Sequence, residues 1–328
     1  MSRSRLALLL VAAFAVLLAL AGLCVGQPLL SPLQLVRVGD AQAPHWLPML
    51  VLQIRLPRLL AACVVGAALG LSGYLLQTLA RNRLAGPDLM GLNDGALFAL
   101  ALSLLLNPAG LVGPWWCALI GALLTVAFVL VAAGGVGTQG YRVIVVGLGV
   151  ASLLRAGFDI AMSTLPIMHA GGLYAFSVGS LAGRGWPLVG SAAVALLLCL
   201  IALVPLQRGL ALMGLQDDSV RSLGVRLPQL RLVVLLLAAA LAGLAVSVTG
   251  PLGFVAIVAP ILARRADASA PPWLAASVGV MLVLVADLLG RIAVTPAELP
   301  AGVVTGLLGG PFLFWLLLRS QPLAAGLR

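Results

Sequence analysis

Ten apolar segments partition this chain, at about 6–26, 57–79, 93–112, 114–133, 143–166, 187–206, 230–249, 251–263, 273–290 and 301–318. A hydrocarbon core of about 30 Å needs ~20 residues of helix, and most of these runs approach that length. Charged residues make up only 9% of the chain and apolar ones 62%, whereas a soluble domain carries roughly a quarter charged. The reading is an all-α polytopic membrane protein of about ten transmembrane helices, forming one membrane domain over residues 1–328. The 38 glycines fit helices that approach closely in lipid.

One stretch cannot be a simple span. Residues 232–262 are continuously apolar apart from small polar side chains, too long for one helix and too short for two. Gly250-Pro251 supplies a break. The second half, Leu252 to Ala263, would rise only about 18 Å. Such a short broken span needs protein or water, rather than lipid, around its freed backbone groups, a situation found near transport paths. The first segment follows Arg3 and Arg5; at 20 residues, Leu6 to Val25 exceeds a signal-peptide core, and it reads as a retained helix.

Every one of the 19 basic residues is arginine. Without lysine there is no phosphate-binding G-x-x-x-x-G-K-[ST] loop, so any ATP that drives this protein is hydrolysed by another chain. The arginines are scattered singly between apolar runs rather than gathered in a stripe, which argues against nucleic acid. With both termini in the cytoplasm, thirteen arginines fall inside and five outside, with Arg155 within a span. The positive-inside rule therefore selects N-in, C-in. Cys24, Cys63, Cys117 and Cys199 lie in apolar runs without metal-ligand spacing. With His45 and His169 the sole histidines, no metal site and no covalently bound cofactor is expected.

Against that orientation the outer arginines stand out. Arg55 and Arg58 flank Leu56-Pro57 at the second span, and Arg291 closes the ninth. They either snorkel to headgroups or form a docking surface for a carboxylate-bearing partner. Arg155 and Asp159, four apart in the fifth span, share a helix face. This intramembrane polar pair either neutralises itself or lines a solvated path. Asp287 and Arg291 share that spacing, with Glu298 in the following turn, and read as a local network. The cytoplasmic interval of about 207–231 contains Asp217-Asp218-Ser219-Val220-Arg221-Ser222-Leu223-Gly224, which reads as a short capped helix along the membrane or as a plain loop. Gly66 and Gly70, and the series Gly302, Gly306, Gly310, are assigned to helix packing.

Several strings together resemble the permease subunits of ABC importers for ferric siderophores, haem, ferric citrate and vitamin B12. These are Arg55-Leu56-Pro57-Arg58 with Gly66 to Gly73; Asn82-Arg83-Leu84-Ala85-Gly86-Pro87-Asp88 through Gly91, with Arg83 where the family has proline; and Gly179-Ser180-Leu181-Ala182-Gly183-Arg184-Gly185-Trp186. Towards the end come Gly250-Pro251-Leu252-Gly253-Phe254-Val255, Asp287 to Arg291, and Glu298-Leu299-Pro300. The run from Pro87 to Asn93 leans towards the ferric-citrate type. The resemblance implies a pair of permeases (a second copy or a paralogue), two ATPase subunits below and a periplasmic or lipid-anchored solute-binding protein above, in the bacterial inner membrane. It implies that Arg55, Arg58 and Arg291 meet acids on the binding protein. Asp217, Asp218, Arg221, Leu223 and Gly224 would then form the helix that couples to the ATPase. Asn82 and Leu84, with Gly140 and Tyr141 in the partner loop, would form the cytoplasmic gate. Ile261 stands where the family has histidine. The rival reading is a stand-alone ion-coupled secondary transporter using Arg155, Asp159 or Asp287. An enzyme is disfavoured, since no paired-acid, histidine or nucleophile constellation is present.

Overall fold

The computed structural model describes residues 3–40, 44–107, 113–135, 140–267, 269–294 and 297–319. Helix α1 spans Arg3–Cys24, and short helices α2 (Pro32–Val36) and α3 (Trp46–Pro48) follow. The chain winds as a π-helix over Met49–Arg55 and passes unbroken into α4, Leu56–Ala80. Next come α5 (Leu92–Leu106), α6 (Trp115–Ala133), α7 (Gly140–Thr164), α8 (Ile167–Ser177) and α9 (Trp186–Leu203). Two short helices, α10 (Gln207–Leu212) and α11 (Asp217–Ser222), precede α12, Leu227–Thr249. The order ends with α13 (Val255–Ala266), α14 (Pro272–Ile292) and α15 (Ala301–Arg319). Among the described residues seven helical stretches are long and apolar enough to cross a membrane, and Leu92–Leu106 and Ala301–Leu316 are shorter apolar helices.

Helix α4 is the axis of the molecule, with α12, α13 and α14 packed around it. Small residues make that approach possible. A methyl added at Gly66 would lie 2.6 Å from the Gly279 carbonyl oxygen of α14, and one at Gly73 only 1.6 Å from the Ala256 carbonyl oxygen of α13. The backbones are already in contact, as expected for helices associating by close packing. Helix α1, in contrast, lies outermost, with only 6% of its apolar window buried.

The start of α4 departs from the expected plain span, and proline explains why. Pro57 lacks an N–H, and in a regular helix its ring would meet the Gln53 carbonyl. Widening the preceding turn into π geometry makes room for it. In that register the Leu52 carbonyl faces the missing N–H of Pro57. Instead it accepts a hydrogen bond from the Trp186 indole N–H at 2.8 Å, which pins α9 to the entry of α4.

The break after α12 falls at the expected dipeptide. Gly250 takes φ +78°, and its freed neighbourhood is met by protein: the Ser180 N–H donates to the Thr249 carbonyl at 2.8 Å. The Gly302 N–H of α15 donates to Gly179 at 2.9 Å, so three chain segments are laced together there. Phe254, at φ +68°, opens α13 in left-handed conformation and packs where a methyl on Gly309 would meet it at 2.2 Å. The expected row Gly302, Gly306, Gly310 is thereby corrected. Added methyls at Gly306 and Gly310 would meet open space, whereas Gly302 and Gly309 make the contacts. Seven residues return to the same helix face within about 20°, while two steps of four drift off it.

Candidate functional site

At the head of α4, three arginines gather around the end of α1. Arg55 is only 4% exposed and Arg291 7%. The Arg55 guanidinium donates to the Leu23 carbonyl at 2.6 Å, to Cys24 at 3.0 Å and to Pro28. Arg291 donates to Gly22 at 2.9 Å and ion-pairs with Asp287. The last carbonyls of a helix have no intrahelical partners and carry its negative dipole end, so two guanidiniums there act as a cap. Arg58 completes the cluster. It pairs with Asp287 at 2.8 Å and with Glu298 at 2.7 Å. The local network expected for Asp287, Arg291 and Glu298 is present, and Arg58 belongs to it. Arg55 and Arg291 thus hold α1, with little surface left for another molecule; Arg58 lies at the rim.

The pair on α7 is differently placed. Arg155 and Asp159 stand 3.6 Å apart, with side chains 52% and 61% exposed. Both lie within the apolar window Val145–Thr164. Arg155 also stacks over Phe158, 5.3 Å from the ring centre. A charged pair at mid-span with most of its surface bare is costly against lipid; water or another protein chain resolves that cost.

At the tail of α4, Arg81 turns the chain in left-handed conformation, φ +50°, a geometry costing about 1–2 kcal/mol for a residue with a Cβ. Its Nε donates to the Met213 carbonyl at 3.1 Å, and its Nη2 reaches the Leu215 carbonyl and the Asp217 carboxylate, the latter at 2.9 Å. Arg231 of α12 binds the same carboxylate at 2.9 and 3.0 Å. A hydrogen bond from Arg231, seconded by the charges of both arginines, holds the Asp217 carboxyl below its ordinary range. The short helix expected from Asp217 exists as α11, and Gly224 follows it at φ +77°, but Asp217 is not its cap. Gln216 takes that place without a side-chain bond, because the carboxylate is drawn away by two guanidiniums. Asp218 and Arg221 pair loosely at 3.9 Å on the exposed side, where Leu223 also lies bare.

The positions expected to form the gate sit directly beyond. The Asn82 side chain accepts from the Leu84 N–H at 2.9 Å, closing a tight turn. Gly140 and Tyr141 begin α7; the Tyr141 side chain lies outside the described residues. Within the next turn, Asn93 donates to Asp88. Burial of the Asp88 carboxyl, followed by the nearby Asp94 charge, pushes its pKa up to about 6. The residue keeps some outer surface, but the dense packing around the carboxyl itself sets the direction. Among the described residues no group of three or more His, Cys, Asp or Glu gathers to hold a metal ion.

The model of the FecCD transport family matches residues 11–319. The chain belongs to the FecCD transport family. It is 36% identical over 324 residues to the achromobactin transport system permease protein CbrC of Dickeya dadantii, covering 97% of this chain and 92% of that one. It is 37% identical over 289 residues to the ferric enterobactin transport system permease protein FepG of Escherichia coli, covering 87% and 86%. A solved structure described as a metal-chelate-type ABC transporter in an inward-facing conformation superposes with a TM-score of 0.80 at 25% identity, over 95% of this chain and 98% of that one. This FecCD-family chain is therefore a multi-pass membrane transport subunit and not an enzyme.

Family motifs now acquire physical reasons. Gly179, at φ +85°, lies where a methyl would stand 2.4 Å from the Pro251 carbonyl oxygen, so the outer-loop glycines serve the broken span. Trp186 ends that motif as the donor to the π-helix. Ile261, in the histidine position, is buried. In the sequence Arg81 and Arg231 are two of the thirteen arginines expected inside. The sequence signal for Arg81 is its place immediately before Asn82, an expected gate position.

Proposed function

We propose that this chain is the permease subunit of an ATP-driven importer that moves a ferric siderophore or related iron chelate across the bacterial inner membrane. Its ten spans run N-in, C-in, with α5, α13 and α15 as the shorter ones, in a single domain over residues 1–328. The observation that carries the reading is the bare Arg155–Asp159 pair on α7. An apolar helix with a charged mid-span face uncovered by its own chain suits a wet path between two permeases. The second permease, a copy or a paralogue, faces that helix. Two ATPase subunits receive α11, which carries Asp217, Asp218 and Arg221, together with the exposed Leu223 and Gly224 that follow it. A solute-binding protein docks at the opposite end, meeting Arg58 and its Glu298 partner first, while Arg55 and Arg291 keep the platform rigid by holding α1. Asn82 and Leu84, opposite Gly140 and Tyr141, form the cytoplasmic gate. The names of the relatives support iron-chelate cargo: the Escherichia coli ferric dicitrate permeases FecC and FecD are 34% and 35% identical to this chain. In this scheme the chain carries no covalently bound cofactor, and ATP is consumed by the partners.

Cysteine placed at Arg155 or Asp159 tests the path. In the assembled importer it should react with a membrane-impermeant thiosulfonate, faster when nucleotide opens the site to that side. Complete protection under all nucleotide conditions would place the pair against lipid or dry protein and remove the path from this face.

A further inference from the structure

Helix α11 packs on the molecule through the buried Val220, and its polar ties run through one carboxylate. Among the described residues, the polar links from Asp217–Ser222 to other elements all run through Asp217, to Arg81 at 2.9 Å and Arg231 at 2.9 Å. Arg81 does more than pair. It also holds the Met213 and Leu215 carbonyls, so one guanidinium grips every second residue of the α10–α11 turn. Its own backbone is locked in the left-handed region, and the next residue, Asn82, is the first gate position. The turn after it is closed by Asn82 onto the Leu84 N–H at 2.9 Å and the Ala85 N–H at 3.2 Å. Arg81 thus gives α11 a direct polar connection to the turn 82–85, separate from the packed middle of α4.

We propose that Arg81 is the positioning residue that transmits movement of α11 to the cytoplasmic gate turn 82–85 of the same chain, with Asp217 as its handle and Arg231 as the counter-anchor on α12. This rests on the reading of α11 as the ATPase-contacting helix. Arginine is required because three acceptors on three residues need a planar, multi-donor head; lysine supplies a single point charge. The ion pairs are half-exposed, so their role is geometric and not chiefly stabilising.

The test uses the whole importer, this permease with its ATPase and solute-binding partners, in nanodiscs. The four native cysteines are replaced by alanine and a reporter cysteine is placed at exposed Arg83. A membrane-impermeant maleimide reads the gate turn with and without ATP-vanadate. With Arg81 intact, nucleotide should change the labelling rate at least about fivefold, the low end of ordinary coupling between sites. Arg81→Ala should keep the ATPase bound and hydrolysing while losing that change, and Arg81→Lys should recover part of it. Asp217→Asn, nearly isosteric, should lose the same nucleotide-dependent change in labelling rate, with no further loss in the double variant; it also decides the matter if Arg81→Ala does not assemble. A full nucleotide response in Arg81→Ala or Asp217→Asn overturns the proposal. If the intact protein recruits no ATPase, or its reporter ignores nucleotide, the coupling-helix reading falls and the proposal with it.

Discussion

Asp287 is held between Arg58 and Arg291, and both arginines also serve other partners. Removing one member of such a buried group leaves charge or carbonyls without partners, a loss of about 3–5 kcal/mol. Arg291→Ala should therefore lower the thermal midpoint of the purified protein sharply, and substituting Asp287→Asn in addition should not lower it by the same amount again. At the tail of α4, Asp88 behaves in the opposite sense to Asp217. Its folded pKa is raised to about 6 above the ~3.9 of a free aspartate, so the folded chain keeps a proton that the unfolded chain has lost. Stability then falls as pH rises through that window and levels above it. Thermal midpoints taken from pH 4 to 7 should show that fall, and Asp88→Asn should flatten it.

Elements here depend on positions where a side chain has been removed or a donor supplied. Gly73→Ala would press a methyl into the Ala256 carbonyl. Overpacking costs about 1–3 kcal/mol where side chains can yield, and backbone yields less, so the α4–α13 contact should fail, read as loss of monodisperse protein on size exclusion. Trp186→Phe removes the donor to the Leu52 carbonyl; because both residues are exposed, the loss should be that of an ordinary hydrogen bond, about 0.5–1.5 kcal/mol, measurable by chemical unfolding. The long spans were legible as apolar runs, and the break was legible as Gly250-Pro251. Helices α8 and α10 were not, because neither is long enough to register against the spans beside them. The π-helix was also hidden; its cause, Pro57, is visible in sequence, but the donor that stabilises it comes from Trp186, 129 positions later. The glycine row on α15 misled because two successive steps of four drift off one face, while seven residues return to it.

For the whole molecule, hydropathy and the absence of lysine led directly to a membrane subunit whose motor lies in other chains, and family membership agrees. Site chemistry was less legible. Arg55, Arg58 and Arg291 drew notice as cations on the wrong side, but sequence cannot show that α1 ends between them and occupies two of the three. Arg81 is not distinguished in sequence from the other scattered arginines, since its partners come from a segment more than 130 residues away. What sequence, fold and relatives jointly support is a permease that moves its cargo only when a separate ATPase turns over. The most direct measurement is uptake of radiolabelled ferric dicitrate and ferric siderophores into proteoliposomes holding this chain, with and without its ATPase, and with a protonophore. The account predicts uptake of at least one chelate that requires the ATPase chain and ATP and survives the protonophore. Uptake by this chain alone that collapses with the protonophore would contradict it.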